Sequence, residues 1–268
     1  MQGERRSSRR GQSVEFSDFR PYALGDDFRR IDWNAYARLE RLFIKLFVAE
    51  EDTTLHLLID TTRSMDWGEP NKLRYGIQAA GALGYIALVG LDRVTVTTSR
   101  GANGYANSYF PSVRGKQFAI KLFSFLQSIT PCRDPIDTAG WLSSYASKAA
   151  SPGVVVLISD LMSEGWETGL NLLRGRGHDV SLVHLLAPDE AEPAISGDFR
   201  LVDSESQAEI EVTADFETLT RYKLHLQGWQ ETWRQFCRRR SISYIPVQTS
   251  LPLEELLFAW LPKQGILK

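Results

Sequence analysis

The sequence predicts an α/β fold, a mostly parallel sheet flanked by helices. From Thr53 onward short apolar runs alternate with amphipathic stretches, the pattern of strands connected by crossover helices. Several runs are continuously apolar, as in Val154-Val155-Val156-Leu157-Ile158, which suits strands covered on both faces. Near the C-terminus, Leu219, Tyr222, Leu226, Trp229, Trp233 and Phe236 recur at spacings of three and four, an apolar stripe along one helical face.

Taken in order, strands are expected at 54–59, 93–98, 153–159 and 180–186, with a short one at 243–247. Helices are expected at 72–91, 116–128, 138–149, 169–174 and 216–240, giving a sheet of about six strands. Two stretches break the alternation: 107–111 reads as an antiparallel edge excursion and 199–213 as a hairpin turning near Glu205-Ser206. Residues 1–50 differ from the rest. Phe16, Phe19, Tyr22 and Trp33 alternate there with charges of both signs, the composition of an N-terminal arm packed on a core formed by 51–268. Arg20, Arg29, Arg30 and Arg38 face Asp18, Asp26, Asp27 and Asp32 in sequence; they form either a structural ion-pair network or a docking face.

The 268 residues are 43% hydrophobic and 24% charged, which excludes a disordered or fibrous chain. A net charge of −2 gives no overall attraction to nucleic acid or anionic lipid, so no nucleic-acid partner is expected. Locally the charge is uneven: Arg5, Arg6, Arg9 and Arg10 open the chain, and 187–217 holds ten acids against one base. The longest apolar stretch, 77–91, falls short of the roughly 20 residues of a membrane span and is broken by Gln78 and glycines. The basic start lacks a following apolar core, and two cysteines are too few for a secreted scaffold; a cytoplasmic protein is expected.

The chemistry concentrates where the first buried strand ends, at Asp60-Thr61-Thr62-Arg63-Ser64. Loops at the carboxyl ends of strands line the ligand crevice of an open α/β sheet. Asp60, Thr62 and Ser64 alternate along an extended loop and aim three oxygens at one point, a donor set for a hard divalent cation, Mg²⁺ first, with Ca²⁺ or Mn²⁺ as alternatives. Asp160, after the 153–159 strand, faces the same crevice if the two strands are neighbours. The competing reading is that these residues only cap helices.

Asp60-Thr61-Thr62-Arg63-Ser64 resembles the Asp-x-Ser-x-Ser metal-ion-dependent adhesion motif of von Willebrand factor A domains, and Ser159-Asp160 resembles the later acid of that motif. Glu15-Phe16, Arg20-Pro21-Tyr22, Gly25-Asp26-Asp27, Arg29-Arg30-Ile31-Asp32-Trp33 and Ala37-Arg38 resemble the signature of the bacterial family called domain of unknown function 58, in which such a segment precedes a von Willebrand A-like core. The resemblance implies that Thr62 and Ser64 bind the ion directly while Asp60 and Asp160 act through water. It also implies a further threonine ligand from a Gly-Gly-x-Thr-like loop. Residues 131–138 lack the glycines: Thr138 serves in a shifted register, Asp134 or Asp137 replaces it, or Asp137 caps the following helix. By the same resemblance the partner is a MoxR-type AAA ATPase, or a client protein offering an acidic residue to the metal.

Two functions compete. One is a non-enzymatic interaction module. The other is a metal-dependent phosphohydrolase with Asp60 as nucleophile, against which stands Thr62 where a second acid belongs. No phosphate-binding Gly-Lys loop, dinucleotide fingerprint or nucleophile elbow is present. His56, His178, His184 and His225 are scattered, and His56 and His184 fall within apolar strands as core histidines.

Overall fold

A computed structural model describes residues 15–48, 53–99, 109–132, 136–149, 151–203 and 208–260. The chain divides into two compact units between Asp52 and Thr53.

In the first unit, strand β1 (Glu15–Pro21) pairs antiparallel with β2 (Phe43–Val48), and a 3₁₀ turn (Phe28–Arg30) and helix α1 (Trp33–Leu39) lie between them. The aromatic and charged residues of 15–21 therefore lie on a strand, with a register shift between Phe16 and Asp18, and this pairing is not apparent from sequence. Asp27 accepts the Arg29 N–H, and Asp32 accepts the N–H groups of Asn34 and Ala35, so these acids start helical turns. Arg20 pairs with Asp26 at 2.8 Å, an ion pair of the expected network.

The second unit is built on six strands: β3 (Thr54–Ile59), β4 (Arg93–Thr98), β5 (Tyr109–Arg114), β6 (Val154–Ser159), β7 (Asp179–Leu186) and β10 (Ser243–Gln248). Their order across the sheet is β10-β7-β6-β3-β4-β5, all parallel except β5, which runs antiparallel to β4 at the edge. The predicted α/β class, the sheet and the edge strand are present; 107–108 lie outside the described residues. Helices α2 (Lys72–Val89), α3 (Ala119–Gln127), α4 (Thr138–Lys148), α5 (Trp166–Gly175), α6 (Pro188–Ala191) and α7 (Phe216–Arg239) connect the strands, and a last helical segment, Leu253–Glu255, continues as Leu256–Trp260. Strands β8 (Gly197–Val202) and β9 (Glu209–Ala214) form the expected hairpin, separate from the main sheet. Its turn at Glu205-Ser206 is outside the described residues.

Alternation along β3 divides the core. Leu55, Leu57 and Ile59 pack with α2, α3 and the C-terminal segment, whereas Leu58 packs on the opposite face with α4, α5 and α7. The strand is buried at every position, which is why it reads as a continuous apolar run. Helix α2 approaches the sheet closely: a Cβ on Gly76 would lie 2.9 Å from Ile158 on β6. That contact brings the first turn of α2 to the end of β6. Among the described residues no helix is long and apolar enough to cross a membrane. Both cysteines are buried thiols.

Candidate functional site

Along the chain β3 is the first strand of the main sheet and β6 the fourth, and in the sheet the two are neighbours. The chain leaves β3 toward one edge and crosses to β6 on the other side, so their carboxyl ends form the switch point at which open α/β sheets bind ligands. Asp60 and Asp160 follow these two strands directly, and both are fully buried. The pairing assumed from sequence is thus met.

Asp60 is held by a ring of donors. Its N–H donates to the Ile158 carbonyl, Oδ1 accepts the Thr62 N–H at 2.9 Å and the Ser99 hydroxyl at 3.1 Å, and Oδ2 accepts the Ser159 hydroxyl at 2.6 Å. Burial, and secondarily the charge of Asp160, push the Asp60 carboxyl up to about 6, against the pull of the Ser159 and Thr62 hydrogen bonds. Ser99 directly follows β4, and its hydroxyl oxygen also accepts the Thr61 N–H at 2.7 Å. Sequence reasoning missed it, although its place at a strand end beside the crevice is the signal that marked Asp60.

The Thr62 and Ser64 hydroxyls, on the loop after Asp60, are hydrogen-bonded to each other at 3.0 Å, a bond that an ion bound by both would replace. Their separation is that of two adjacent oxygen ligands on an octahedral ion with bonds of about 2.1 Å. Asp160 is engaged differently. Oδ1 accepts the Met162 N–H at 3.1 Å, and Oδ2 accepts Lys72 Nζ at 2.8 Å. The lysine also donates to Glu190 Oε1, while Glu190 Oε2 accepts the Ala187 N–H at 2.8 Å. Burial pushes the Glu190 carboxyl up, and the Lys72 charge opposes it. His184 fixes the Asp160 backbone through an Nε2 contact of 3.1 Å with its carbonyl oxygen. Leu161, buried beside it, has φ 58°, left-handed backbone that a bulky residue adopts at a cost of about 1 kcal/mol or more.

Lys72 and Glu190 were not singled out from sequence. Lys72 carried one signal: it is a base in the first turn of a helix, where the macrodipole disfavours positive charge, and such a local conflict marks a tertiary partner. Glu190, by contrast, sat in a run of acids with nothing to distinguish it.

Of the remaining sequence candidates, Thr138 and Asp137 are described, beside the loop that follows Asp160. Thr138 is buried and its hydroxyl donates to the Glu164 carbonyl; Asp137 Oδ1 accepts the Gly140 N–H at 2.8 Å, so it caps α4. Asp134 is outside the described residues. An open depression of about 520 Å³ lies between residues 136–139 and 162–165. The histidines pack as core residues: His56 Nδ1 is 2.6 Å from the Tyr145 hydroxyl and His184 Nδ1 is 2.6 Å from that of Tyr244.

The donor chemistry fits a divalent ion through hydroxyls more than through acids. Among the described residues no group of three or more His, Cys, Asp or Glu side chains forms a metal cluster, and the oxygens that the loop after β3 would offer an ion are the Thr62 and Ser64 hydroxyls.

Fold and site together define a doubly wound α/β domain with an oxygen-lined crevice at its switch point. The chain belongs to the family described as "Protein of unknown function DUF58", whose profile matches residues 18–231. It is 27% identical over 210 residues to "Uncharacterized protein Mb1516" of Mycobacterium bovis (strain ATCC BAA-935 / AF2122/97) and equally to "Uncharacterized protein Rv1480" of Mycobacterium tuberculosis (strain ATCC 25618 / H37Rv). Each match covers 76% of this chain and 65% of the relative's length. Among solved structures it is similar to the conserved hypothetical protein BatB from Bacteroides thetaiotaomicron, at 13% identity and TM-score 0.46, covering 80% of this chain and 98% of that one. An aerotolerance-related membrane protein from Bacteroides fragilis NCTC 9343 matches at 16% identity and TM-score 0.49 over the same shares. A von Willebrand factor type A structure from Catenulispora acidiphila matches at 11% identity and TM-score 0.38, covering 54% and 35%.

Proposed function

We propose that this chain is a non-enzymatic protein-interaction module that engages its partner at the switch-point crevice, through a divalent ion held by Thr62 and Ser64 with Asp60 and Asp160 behind them. The observation that carries the reading is the hydroxyl pair at 3.0 Å beside a buried carboxylate at the ends of two adjacent parallel strands. The ion, Mg²⁺ first among candidates, supplies a coordination position for a carboxylate of the partner. Trp67 and Met162, exposed on the loops after β3 and β6, offer apolar contact area beside it. The partner is a MoxR-type AAA ATPase or a client protein presenting an acidic side chain. Asp60 as a phosphoryl-accepting nucleophile is disfavoured by its geometry, since it is fully buried and both its oxygens accept hydrogen bonds.

Thermal unfolding with and without MgCl₂ or MnCl₂ tests the metal. At about five times its dissociation constant an ion stabilises by about 1 kcal/mol, raising the midpoint by about 2–4 °C. Thr62→Val removes the shift; an unchanged midpoint in every variant and metal defeats the reading. Co-purification with a MoxR-type ATPase, weakened by Thr62→Val, tests the partner.

A further inference from the structure

The cation that occupies this crevice in the described structure belongs to the chain itself. Lys72 is the first residue of α2, and its side chain is completely buried between Asp160 and Glu190. An ammonium leaves water for such a place only where carboxylates meet it. Both Asp160 oxygens are engaged: Oδ1 by the Met162 N–H, Oδ2 by Lys72. The backbone bond is fixed by the turn, so the oxygen that an incoming ion can engage, through its bound water, is the one the lysine holds. Glu190 is anchored in turn by the Ala187 N–H and keeps the ammonium in position from the α6 side.

We propose that Lys72 is a resident counter-cation that competes with a divalent ion for Asp160, so that the metal affinity of the crevice is set by how firmly Lys72 and Glu190 are seated. The inference rests on the metal-dependent reading above and gives it a regulation. A partner that displaces α6, and with it Glu190, loosens the lysine and raises metal affinity; conversely, metal binding favours the displaced state. Lys72 acts through Asp160 and is a positioning residue.

The test is Mn²⁺ titration calorimetry on the EDTA-treated full chain, comparing wild type with Lys72→Met/Glu190→Gln. The three-residue cluster carries one net negative charge in both proteins, so the comparison isolates release of Asp160 from a change in overall charge. The expected result is at least tenfold tighter Mn²⁺ binding in the double variant, abolished by adding Thr62→Val. Equal affinity in wild type and double variant overturns the role of Lys72 and leaves the metal reading standing. Absence of Mn²⁺ binding in both overturns the two together, and a gain that survives Thr62→Val places the ion elsewhere and also overturns the proposal. A double variant that folds only with Mn²⁺ supports it, because the ion then replaces the ammonium; one that stays unfolded at every Mn²⁺ concentration counts against it.

Discussion

Asp60 and Asp160 end adjacent parallel strands and carry their charge in opposite ways: Asp160 meets the Lys72 ammonium at 2.8 Å, whereas Asp60 is met by the hydroxyls of Ser99 and Ser159 and the Thr62 amide. One carboxylate is met by an ammonium and the other only solvated by dipoles. Among the described residues Asp60 therefore carries a charge that no cation meets directly, next to the Thr62–Ser64 hydroxyls, which is the side where an added cation finds an unpaired carboxylate.

The buried pair dictates the first prediction. Removing one partner of a desolvated ion pair strands the other, at a cost of about 3–5 kcal/mol. In EDTA, Lys72→Ala is expected to lose about that much in urea unfolding, because it strands Asp160, whereas Asp160→Ala leaves the ammonium to Glu190 and should lose less. The double variant should lose less than the sum, because neither charge of the Lys72–Asp160 pair remains without the other. Additive losses would mean that the two side chains do not depend on each other.

Ser159 donates the shortest hydrogen bond to Asp60, at 2.6 Å. Ser159→Ala leaves Oδ2 without that donor in a site closed to water, so a loss of about 1–3 kcal/mol is expected at neutral pH. Acidification should recover part of it, because a protonated Asp60 needs the donor less. A loss that is identical at pH 5 and pH 7.5 would show that the hydroxyl does not stabilise the carboxylate.

Gly153 precedes β6, where a Cβ would lie 2.2 Å from the Thr54 carbonyl oxygen and 2.9 Å from His56 Nε2. The obstruction is backbone, so relief requires the strand itself to shift. Gly153→Ala is expected to destabilise by about 1–3 kcal/mol, read by thermal or urea unfolding, and Gly175→Ala, which meets nothing within 4 Å, serves as the control. A stable Gly153→Ala protein would show that β3 and β6 are less tightly registered than their pairing implies.

Much of this architecture was legible in the sequence for a physical reason. Strands buried on both faces, such as β3 and β6, announce themselves as unbroken apolar runs, and Asp60 and Asp160 are conspicuous as the first charges after such runs. Residues 15–48 were harder. The β1–β2 pair has no continuous apolar run to mark it, and Phe16 and Phe19 are three residues apart with a register shift between them, so no strict alternation shows; Phe19 and Trp33, expected to be buried, are exposed. The partners of the two acids were hidden for another reason: Lys72, Ser99 and Glu190 reach the crevice from three different connections. Their convergence is a property of the strand order β7-β6-β3-β4, which no local pattern encodes.

Acid sensitivity is set by buried histidines more than by the crevice. His56 is lowered from 6.5 to about 4, first by burial and then by the charge of His178, whose ring centroid is 5.0 Å away; His184 is likewise lowered to about 4 by burial. A histidine whose folded value is depressed contributes stability that is complete above 6.5 and is lost as pH falls toward 4, because the unfolded chain takes the proton first. Asp60 works in the opposite direction, since its folded value of about 6 lies above that of the unfolded chain and the native state takes its proton first as pH falls. Burial also lowers His178 and raises the Glu190 carboxyl, one further group on each side, so the histidines outweigh the carboxyls at about 1.4 kcal/mol per unit for each group. Net stability should therefore fall between pH 6.5 and 4. His56→Asn removes one of the two larger contributions and leaves the crevice untouched, so its urea-unfolding stability should decline less steeply over that interval than the wild type's. An unchanged slope would mean that His56 takes up its proton in the native state as readily as in the unfolded chain.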